Sequence, residues 1–332
     1  MQPLSDQTTE SATPHRKSCW LKGILFLSAA LLIAIIVHRS MLEEIDPDKT
    51  KDVVVTPADS TQGADQVESN PEDQLPENAI TRFINRQKIA DAEYTWDPLV
   101  EIAEKLVADI DSNIQDYTAT ITSQVRIEGE LLDRRVVECK IRHPQKKEDR
   151  NIPFSVYTKF LIPKDSAGQE AIWVDGWHEN NIVAHATGLL NVKKFYLDPE
   201  GSLAMKGNLH PIWVIGFRNL LVKLIETGTK ERLDNSVKIN IRRNVDVNGI
   251  KCTVLESIHE NKSPDFKYHI ARMYIDDERN IPIGFEGFLW PESDGEEPPI
   301  LEYYFYTDVK LNVGLTNDSF DPDNEEYGYP EW

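Results

Sequence analysis

In most of the last two thirds of the chain, hydrophobic and polar residues alternate with the two-residue period of β-strands. Residues 117–127 show the pattern most clearly, because apolar side chains occupy nearly every second position and Thr, Gln and Arg fill most of the others. The same pattern, bounded by turn residues, predicts further strands at 131–142, 154–162, 171–174, 181–186, 237–242, 250–258, 268–275, 283–290 and 300–311.

Two segments follow the helical period instead. In the first, Asp97 is a candidate N-cap and Pro98 suits the first helical position. Apolar residues recur there at helical spacing, at Leu99, Ala103, Leu106 and Ile110. The second helix follows Pro211 and covers about 212–227, with Gly228 expected at its C-terminal end. Each helix therefore carries an apolar stripe that must pack on another element.

The order of these elements predicts the fold class. A helix precedes about five strands, and a second helix precedes about five more. A parallel βαβ fold would place a helix between most pairs of strands. We therefore predict an α+β fold with a mostly antiparallel, strongly curved sheet, equivalent to a half-open β-barrel. Both helices would cover its concave side, and one transmembrane helix would precede the domain.

The long uncharged apolar run of the chain spans residues 23–37. It has 15 residues, or 18 if it begins at Trp20 and Lys22 reaches the interface. A spanning helix needs about 20 apolar residues, with about 17 at the lower limit. The run therefore predicts an uncleaved signal anchor with Trp20 at the interface. The alternative is a cleaved secretory signal, which the long preceding region and the lack of a small-residue cleavage site disfavour.

Flanking charge predicts the orientation and the domain organisation. Basic residues precede the apolar run and acidic residues follow it, so the N-terminus should face the cytoplasm. Residues 41–77 carry 11 acidic and two basic residues, a composition typical of a disordered linker. In a bacterium the protein would be a single-pass protein of the inner (cytoplasmic) membrane, with a periplasmic or other exoplasmic domain. The predicted regions are a cytoplasmic tail at 1–20, a signal anchor at 21–38, an acidic linker at 39–90 and a β-rich domain at 91–332.

Composition excludes some partners. The chain has 36 basic and 56 acidic residues, a net charge of −20, which argues against nucleic acid and against electrostatic adhesion to anionic lipid. Cys139 and Cys252 fall in predicted strands, where two buried free thiols are expected and a disulfide is the alternative.

Motifs of known chemistry are missing from the sequence. It contains no HExxH, GxSxG, Walker loop or GxGxxG leading a helix. His178 and His185 have no second histidine at metal-ligand spacing, so each is expected to be hydrogen-bonded or solvated. We therefore expect no metal site, no cofactor and no enzymatic activity. A hydrolase that uses an unrecognised acidic pair is the least favoured alternative.

Several predicted strands carry bulky residues on both faces. This is expected of a filled core with helices on one side, or of an apolar ligand cavity. Residues 197–211 form a long connection with two prolines, two glycines and apolar residues at 203–205, typical of a functional loop or of a structural plug. The candidate ligand-binding residues are Phe160, Trp173, Leu203, Met205, Tyr304 and Phe305.

Five stretches together resemble a known family, namely 153–160, 197–208, 271–277, 306–315 and the Phe-Asp-Pro at 320–322. They resemble the bacterial domain-of-unknown-function family 1571, which is common in planctomycetes. The resemblance extends from about residue 117 to residue 327. It brings no catalytic residues to carry over to this chain.

The predicted layout also resembles periplasmic lipoprotein carriers, in its helix-first order, its curved antiparallel sheet and its aromatic-Asp-Pro tail after the closing strand. That resemblance implies a non-enzymatic, membrane-tethered exoplasmic binding protein for an apolar or lipidated ligand. Its partners would be a lipid or lipoprotein and, through the N-terminal helix, the membrane, while a protein partner stays unknown. A tether fits sensing, docking or local handover better than free transport. The alternative is an envelope protein-interaction or structural module with a filled core and no ligand.

Overall fold

A computed structural model describes residues 95–146, 150–234, 236–293 and 295–331. Helix α1 is Trp96–Asn113 and helix α2 is Phe217–Glu231. The strands are β1 Asp116–Ile127, β2 Glu130–Leu131, β3 Arg135–Arg142, β4 Gln145–Lys146, β5 Asn151–Ile152, β6 Ser155–Ile162, β7 Glu170–Val174, β8 Ile182–His185, β9 Phe195–Leu197, β10 Val237–Val247, β11 Ile250–His259, β12 Ile270–Asp276, β13 Ile281–Phe288 and β14 Ile300–Leu311. The predicted tail, signal anchor and linker, at 1–90, lie outside the described residues.

Twelve strands form one antiparallel sheet, in the order β10-β11-β12-β13-β14-β1-β3-β6-β7-β8-β9, with β2 paired to β1. Strands β4 and β5 form a separate pair. The long sheet has two edges, β10 and β9, and is not closed into a barrel. The predicted α+β class and the large open antiparallel sheet are therefore confirmed. None of the helices formed by the described residues is long and apolar enough to cross a bilayer.

Strand β14 shows how side chains divide between the two sides of the sheet. Glu302, Tyr304 and Tyr306 alternate with Tyr303 and Phe305 along it. The Tyr306 hydroxyl accepts a hydrogen bond of 3.1 Å from the amide of Gly216, directly before α2. The side that bears Glu302, Tyr304 and Tyr306 is therefore the side on which the helices pack. We call it the helix side, and the opposite one the outer side.

The main core lies between the two helices and the helix side. The apolar stripe of α1 is buried as its spacing predicts, at Leu99, Ala103, Leu106 and Ile110. Leu221 of α2 and Ile239 of β10 are fully buried in the same core. Tyr117 stacks on Phe217 with ring centroids 4.1 Å apart, and its hydroxyl accepts the amide proton of Phe217. Two sheet tyrosines thus satisfy amide groups at the start of α2.

Both helices differ from the prediction at their ends. Thr95, not Asp97, precedes α1, and it makes no side-chain cap; Asp97 lies in the first turn and pairs with Arg232. Residues 212–214 form a separate 3₁₀ turn, so α2 starts only at Phe217.

Gly228 does not terminate α2, which continues to Glu231. A Cβ atom at Gly228 would lie 2.7 Å from Val100 Cγ2 and 2.8 Å from Trp96 Cε3. This glycine therefore allows close approach of α2 to α1. The prediction of a C-cap was wrong because a glycine near a helix end can equally serve interhelical packing.

The predicted strand at 131–142 is divided into β2 and β3, and β10 continues five residues beyond its predicted end. Cys139 and Cys252 are free and buried, as expected. Burial raises the pKa of each thiol to about 12. Neither thiol is therefore a nucleophile at neutral pH.

Candidate functional site

Residues 198–211, here called the covering loop, connect β9 to the turn before α2 and lie over the helix side. Arg135 of β3 donates one hydrogen bond of 2.8 Å to Asn208 Oδ1 and another to the carbonyl of Gly207. Gly207 has φ +70°, and a Cβ there would overlap the Arg135 guanidinium. Gly207 therefore lies at the point where the loop is attached to the sheet.

Glu302 of β14 is a second attachment point for the covering loop, and its side chain is fully buried. His210 Nε2 lies 2.8 Å from one carboxylate oxygen, to which Tyr304 also donates a hydrogen bond of 3.0 Å. Lys267 donates a hydrogen bond of 2.6 Å to the other oxygen, and the Tyr268 hydroxyl donates to it as well. One carboxylate thus joins β14, the covering loop and the β11–β12 connection.

The surroundings of Glu302 keep it ionised. Burial alone would raise its pKa, but the hydrogen bond from His210 and the charge of Lys267 outweigh burial and lower the pKa to about 2. A general base works best with a pKa near the working pH. A carboxylate that four donors saturate is therefore suited to holding segments together and unsuited to proton transfer.

A second buried carboxylate, Glu170 of β7, lies on the outer side. His185 Nε2 of the neighbouring strand is 3.0 Å from one of its oxygens, and the amide of Gly328 donates to the same oxygen at 2.8 Å. The Tyr157 hydroxyl donates to the other oxygen at 3.0 Å. Both Glu170 and His185 side chains are only 2% exposed.

His185 has an acceptor at each ring nitrogen. Its Nε2 faces Glu170, and its Nδ1 lies 2.6 Å from the carbonyl of Ala186 and 3.2 Å from Asn191 Oδ1. Both nitrogens must carry protons to satisfy this arrangement, so the pair is imidazolium and carboxylate. Burial lowers the pKa of His185, but the hydrogen bonds to Glu170 and Ala186 raise it by more. The pKa of His185 therefore lies above its ordinary value. Burial raises the pKa of Glu170, but the bonds from His185 and Gly328 lower it more, to a net decrease.

The Glu170 cluster holds the C-terminal tail, residues 315–331, against the outer side. Tyr327 stacks on Tyr157 with ring centroids 4.4 Å apart, and Tyr329 donates a hydrogen bond of 2.9 Å to the carbonyl of Val183. Phe320, from the Phe-Asp-Pro of the tail, is fully buried in a small core with Tyr157 and Ile172. The tail therefore completes the domain on the side away from the helices.

A third group of buried charges crosses neighbouring strands β10 to β13 on the outer side. Arg272 donates a hydrogen bond of 2.5 Å to Glu256, and Arg242 lies 3.2 Å from the same carboxylate. Tyr274 donates a hydrogen bond of 2.5 Å to Glu286, whose pKa burial raises. These contacts join residues that face each other across the strands, so their role is to pair the sheet.

The structure separates the six predicted ligand-binding residues. Phe160, Trp173 and Tyr304 lie on the helix side, and Leu203 and Met205 lie in the covering loop. Phe305 faces the outer side, where its ring lies 5.3 Å from that of Tyr274. It therefore takes no part in a site on the helix side, because consecutive strand residues point to opposite faces.

Trp173 and Tyr304 already have hydrogen-bond partners. The Trp173 indole N–H donates to the carbonyl of Asn180 at 3.0 Å, and its ring lies 5.7 Å from that of Trp213. Tyr304 donates to Glu302. Whether these residues bind a ligand stays a prediction.

Among the grooves on the surface of the described residues, two lie beside α2 or its preceding turn, and neither of these two is an enclosed apolar cavity. One has a volume of about 170 Å³ and is lined by Phe154, Trp213 and Arg218, among others. The other, of about 410 Å³, is lined mainly by polar residues such as Lys230 and Asp234. In the same part of the chain, no three His, Cys, Asp or Glu side chains come together as a metal site.

Sequence reasoning missed the buried carboxylates. Glu302 lies inside a predicted strand and Glu170 lies directly before one, each at a position whose neighbours on the same side are apolar or aromatic. A charged residue in such a position must find a partner, so it could have been marked as half of a buried pair. His210, the partner of Glu302, is too distant in sequence to be inferred, whereas His185, the partner of Glu170, lies on the neighbouring strand β8.

The fold and the two carboxylate clusters define an α+β protein with an open antiparallel sheet, a covering loop on the helix side and a tail on the outer side. The chain belongs to the family described as "Protein of unknown function (DUF1571)", whose sequence profile matches residues 114–329. The family resemblance expected from the sequence is thereby confirmed. A comparison with curated proteins gave no match.

Solved structures similar to the chain include three bacterial proteins at 10–13% sequence identity. One is a putative outer membrane lipoprotein-sorting protein domain from Vibrio parahaemolyticus, with TM-score 0.33, 13% identity and coverage of 68% of this chain and 97% of that one. Another is a LolA superfamily protein from Nitrosomonas europaea, with TM-score 0.28, 10% identity and coverage of 69% and 98%. A third is the Mycobacterium tuberculosis lipoprotein LppX, with TM-score 0.35, 12% identity and coverage of 68% and 100%. These likenesses are too distant to carry an argument about function.

Proposed function

We propose that this protein binds an apolar or lipid-modified ligand on the helix side of its sheet, beneath the covering loop, and that it is not an enzyme. The attachment of the covering loop carries the proposal. Polar contacts to Arg135 and Glu302 fasten the covering loop, whereas Leu203 in the middle of the loop is 61% exposed and Met205 is half-buried. A loop held in this way can open without uncovering a large apolar contact of its own.

Ligand binding requires that the covering loop moves. Neither groove described above is an enclosed apolar cavity, and polar contacts to Arg135 and Glu302 hold the covering loop over the sheet. Opening would separate His210 from Glu302 and would free Phe160 and Tyr304 on the sheet for contact. Each buried methylene contributes about 0.8 kcal/mol, so a long acyl chain can outweigh the cost of opening and of ordering.

A photoactivatable fatty acid tests the proposal on the full chain. Ultraviolet crosslinking followed by peptide mapping should label the covering loop and the strand that carries Phe160, and unlabelled fatty acid should compete. Met205→Asp should lower the labelling several-fold without changing the unfolding temperature. Leu233→Asp, an exposed apolar position outside the loop, is the matched control and should label like the wild type. Labelling that does not saturate, or that ignores Met205→Asp, would contradict the proposal.

The second candidate function is a protein-interaction or structural module of the cell envelope. The filled core between the helices and the sheet favours it. Failure of the fatty-acid labelling would leave this function as the better one.

The predicted tether completes the proposal. Residues 21–38 would anchor the protein in the cytoplasmic membrane, with 1–20 inside, the linker at 39–90 and the domain from residue 91 outside. Protease added to intact spheroplasts should then remove the domain and spare the N-terminal tail. Protection of the domain would contradict this orientation.

A further inference from the structure

Exposed apolar side chains are concentrated in one short segment. The described residues expose seven large hydrophobic side chains, and five of them lie between residues 189 and 203. These five are Leu189 (97% exposed), Leu190 (49%), Val192 (65%), Tyr196 and Leu203. Leu189, Leu190 and Val192 lie within four consecutive residues, and such a local group marks an interaction surface, whereas isolated exposed apolar residues do not.

The centre of this segment is a turn that the fold holds in place. Residues 188–193, here called the tip, connect β8 to β9 and begin with a 3₁₀ turn at Gly188–Leu190. The Asn191 side chain fixes the base of the tip, because its Nδ2 donates a hydrogen bond of 2.8 Å to the carbonyl of Gly328 and its Oδ1 faces His185. The two leucines are therefore displayed by an anchored turn.

The charge around the tip differs from that of the rest of the protein. Residues 180–197 contain two lysines and no acidic residue, within a chain of net charge −20. Lys194 pairs with Asp323 in the tail, and Lys193 is exposed directly beside Val192. Two leucines and a valine, followed by lysine and by the half-exposed Tyr196, match the side chains that favour the boundary between acyl chains and headgroups.

We infer that the tip inserts into the surface of a lipid bilayer and thereby positions the domain on a membrane. An exposed apolar turn beside an exposed lysine can enter the headgroup region of a bilayer without a preformed pocket. The neighbouring edge strand β9 has only three residues, too few to recruit another strand firmly. The inference requires neither the bound ligand nor the predicted tether, and it adds a second point of contact with the membrane.

Site-specific fluorescence on the full chain tests the inference. The chain has three cysteines, of which Cys139 and Cys252 are buried with raised thiol pKa values. The third is removed by Cys19→Ser, so a chain that also carries Leu189→Cys takes up a polarity-sensitive nitrobenzoxadiazole label at position 189. Leu233→Cys, at a position 89% exposed and outside the tip, is the matched control. Both proteins are combined with vesicles of phosphatidylcholine and phosphatidylglycerol, with and without spin-labelled lipid.

The label at position 189 should shift to shorter wavelength with vesicles and be quenched by spin-labelled lipid, and the label at 233 should do neither. Adding Leu190→Asp and Val192→Asp should abolish both effects while fatty-acid crosslinking continues, so the two proposals fail separately. A label at 189 that stays in a water-like environment overturns the inference. A shift that grows with protein density and escapes quenching by spin-labelled lipid also overturns it, because the tip would then contact a second copy of the chain.

Discussion

Replacing Glu170 by Gln removes the charge from the most enclosed ion pair of the domain while preserving the shape of the side chain. His185 then has no counter-charge. Because both side chains are only 2% exposed, water cannot solvate the imidazolium in place of the carboxylate. Breaking one partner of a buried pair costs about 3–5 kcal/mol. The amide oxygen of Gln can still accept from Tyr157 or Gly328, so we expect a loss near the lower end, about 3 kcal/mol.

The effect of Glu170→Gln should depend on pH in a defined direction. His185 has a pKa raised above its ordinary 6.5, so its contribution is fully present below pH 6.5 and is lost as the pH rises through the raised value. Glu170 has a pKa lowered below its ordinary 4.5, so its contribution is present above pH 4.5 and is lost as the pH falls through the lowered value. The difference in unfolding free energy between wild type and variant should therefore be largest between pH 4.5 and pH 6.5, where both contributions are fully present.

Chemical denaturation followed by circular dichroism, repeated across this pH range, measures the difference in unfolding free energy. Glu226→Gln, which breaks the exposed pair with Lys223, is the control and should cost less than about 0.5 kcal/mol at every pH. A loss below about 0.5 kcal/mol for Glu170→Gln, or a loss that is constant with pH, would refute the assignment of a buried imidazolium–carboxylate pair.

Three further predictions follow from the core. Leu106→Ala should lower the unfolding free energy by about 2–5 kcal/mol, because Leu106 is only 7% exposed in the main core, and a much smaller loss would show that the stripe of α1 is loosely packed. Gly228→Ala should lower the melting temperature, since overlap with Trp96 and Val100 costs about 1–3 kcal/mol against a gain in helix propensity of about 1 kcal/mol; a rise would show that the helices can separate. A thiol reagent should leave Cys139 and Cys252 unmodified until denaturant is added, as peptide mapping can show, and rapid labelling of either in the native protein would contradict their burial.

Periodicity predicted the elements that bury one regular face. Strand β14 has its predicted ends, and the stripe of α1 is buried at every position that its spacing indicates. The antiparallel class followed from the scarcity of helices between strands. These features depend on local sequence, which is why they could be recognised.

Features that depend on distant partners could not be recognised. Gly228 has the local signature of a helix end, and only the presence of Trp96 across the interface explains it. Phe305 and Tyr304 are both large and apolar in part, so the sequence does not show which of them faces the helices. Glu302 acquires its role from His210 and Lys267, which belong to two other connections.

The sheet order has a consequence for biosynthesis. Strand β1, the first made, has β3 on one side and β14, the last made, on the other. Until residue 311 has left the ribosome, the nascent chain therefore presents the backbone amides and carbonyls of β1 as a long unpaired edge. Pairing between segments so far apart in the chain is slow to form. The cell must keep this edge from joining other chains throughout synthesis, and premature termination anywhere before β14 would leave it permanently available for aggregation.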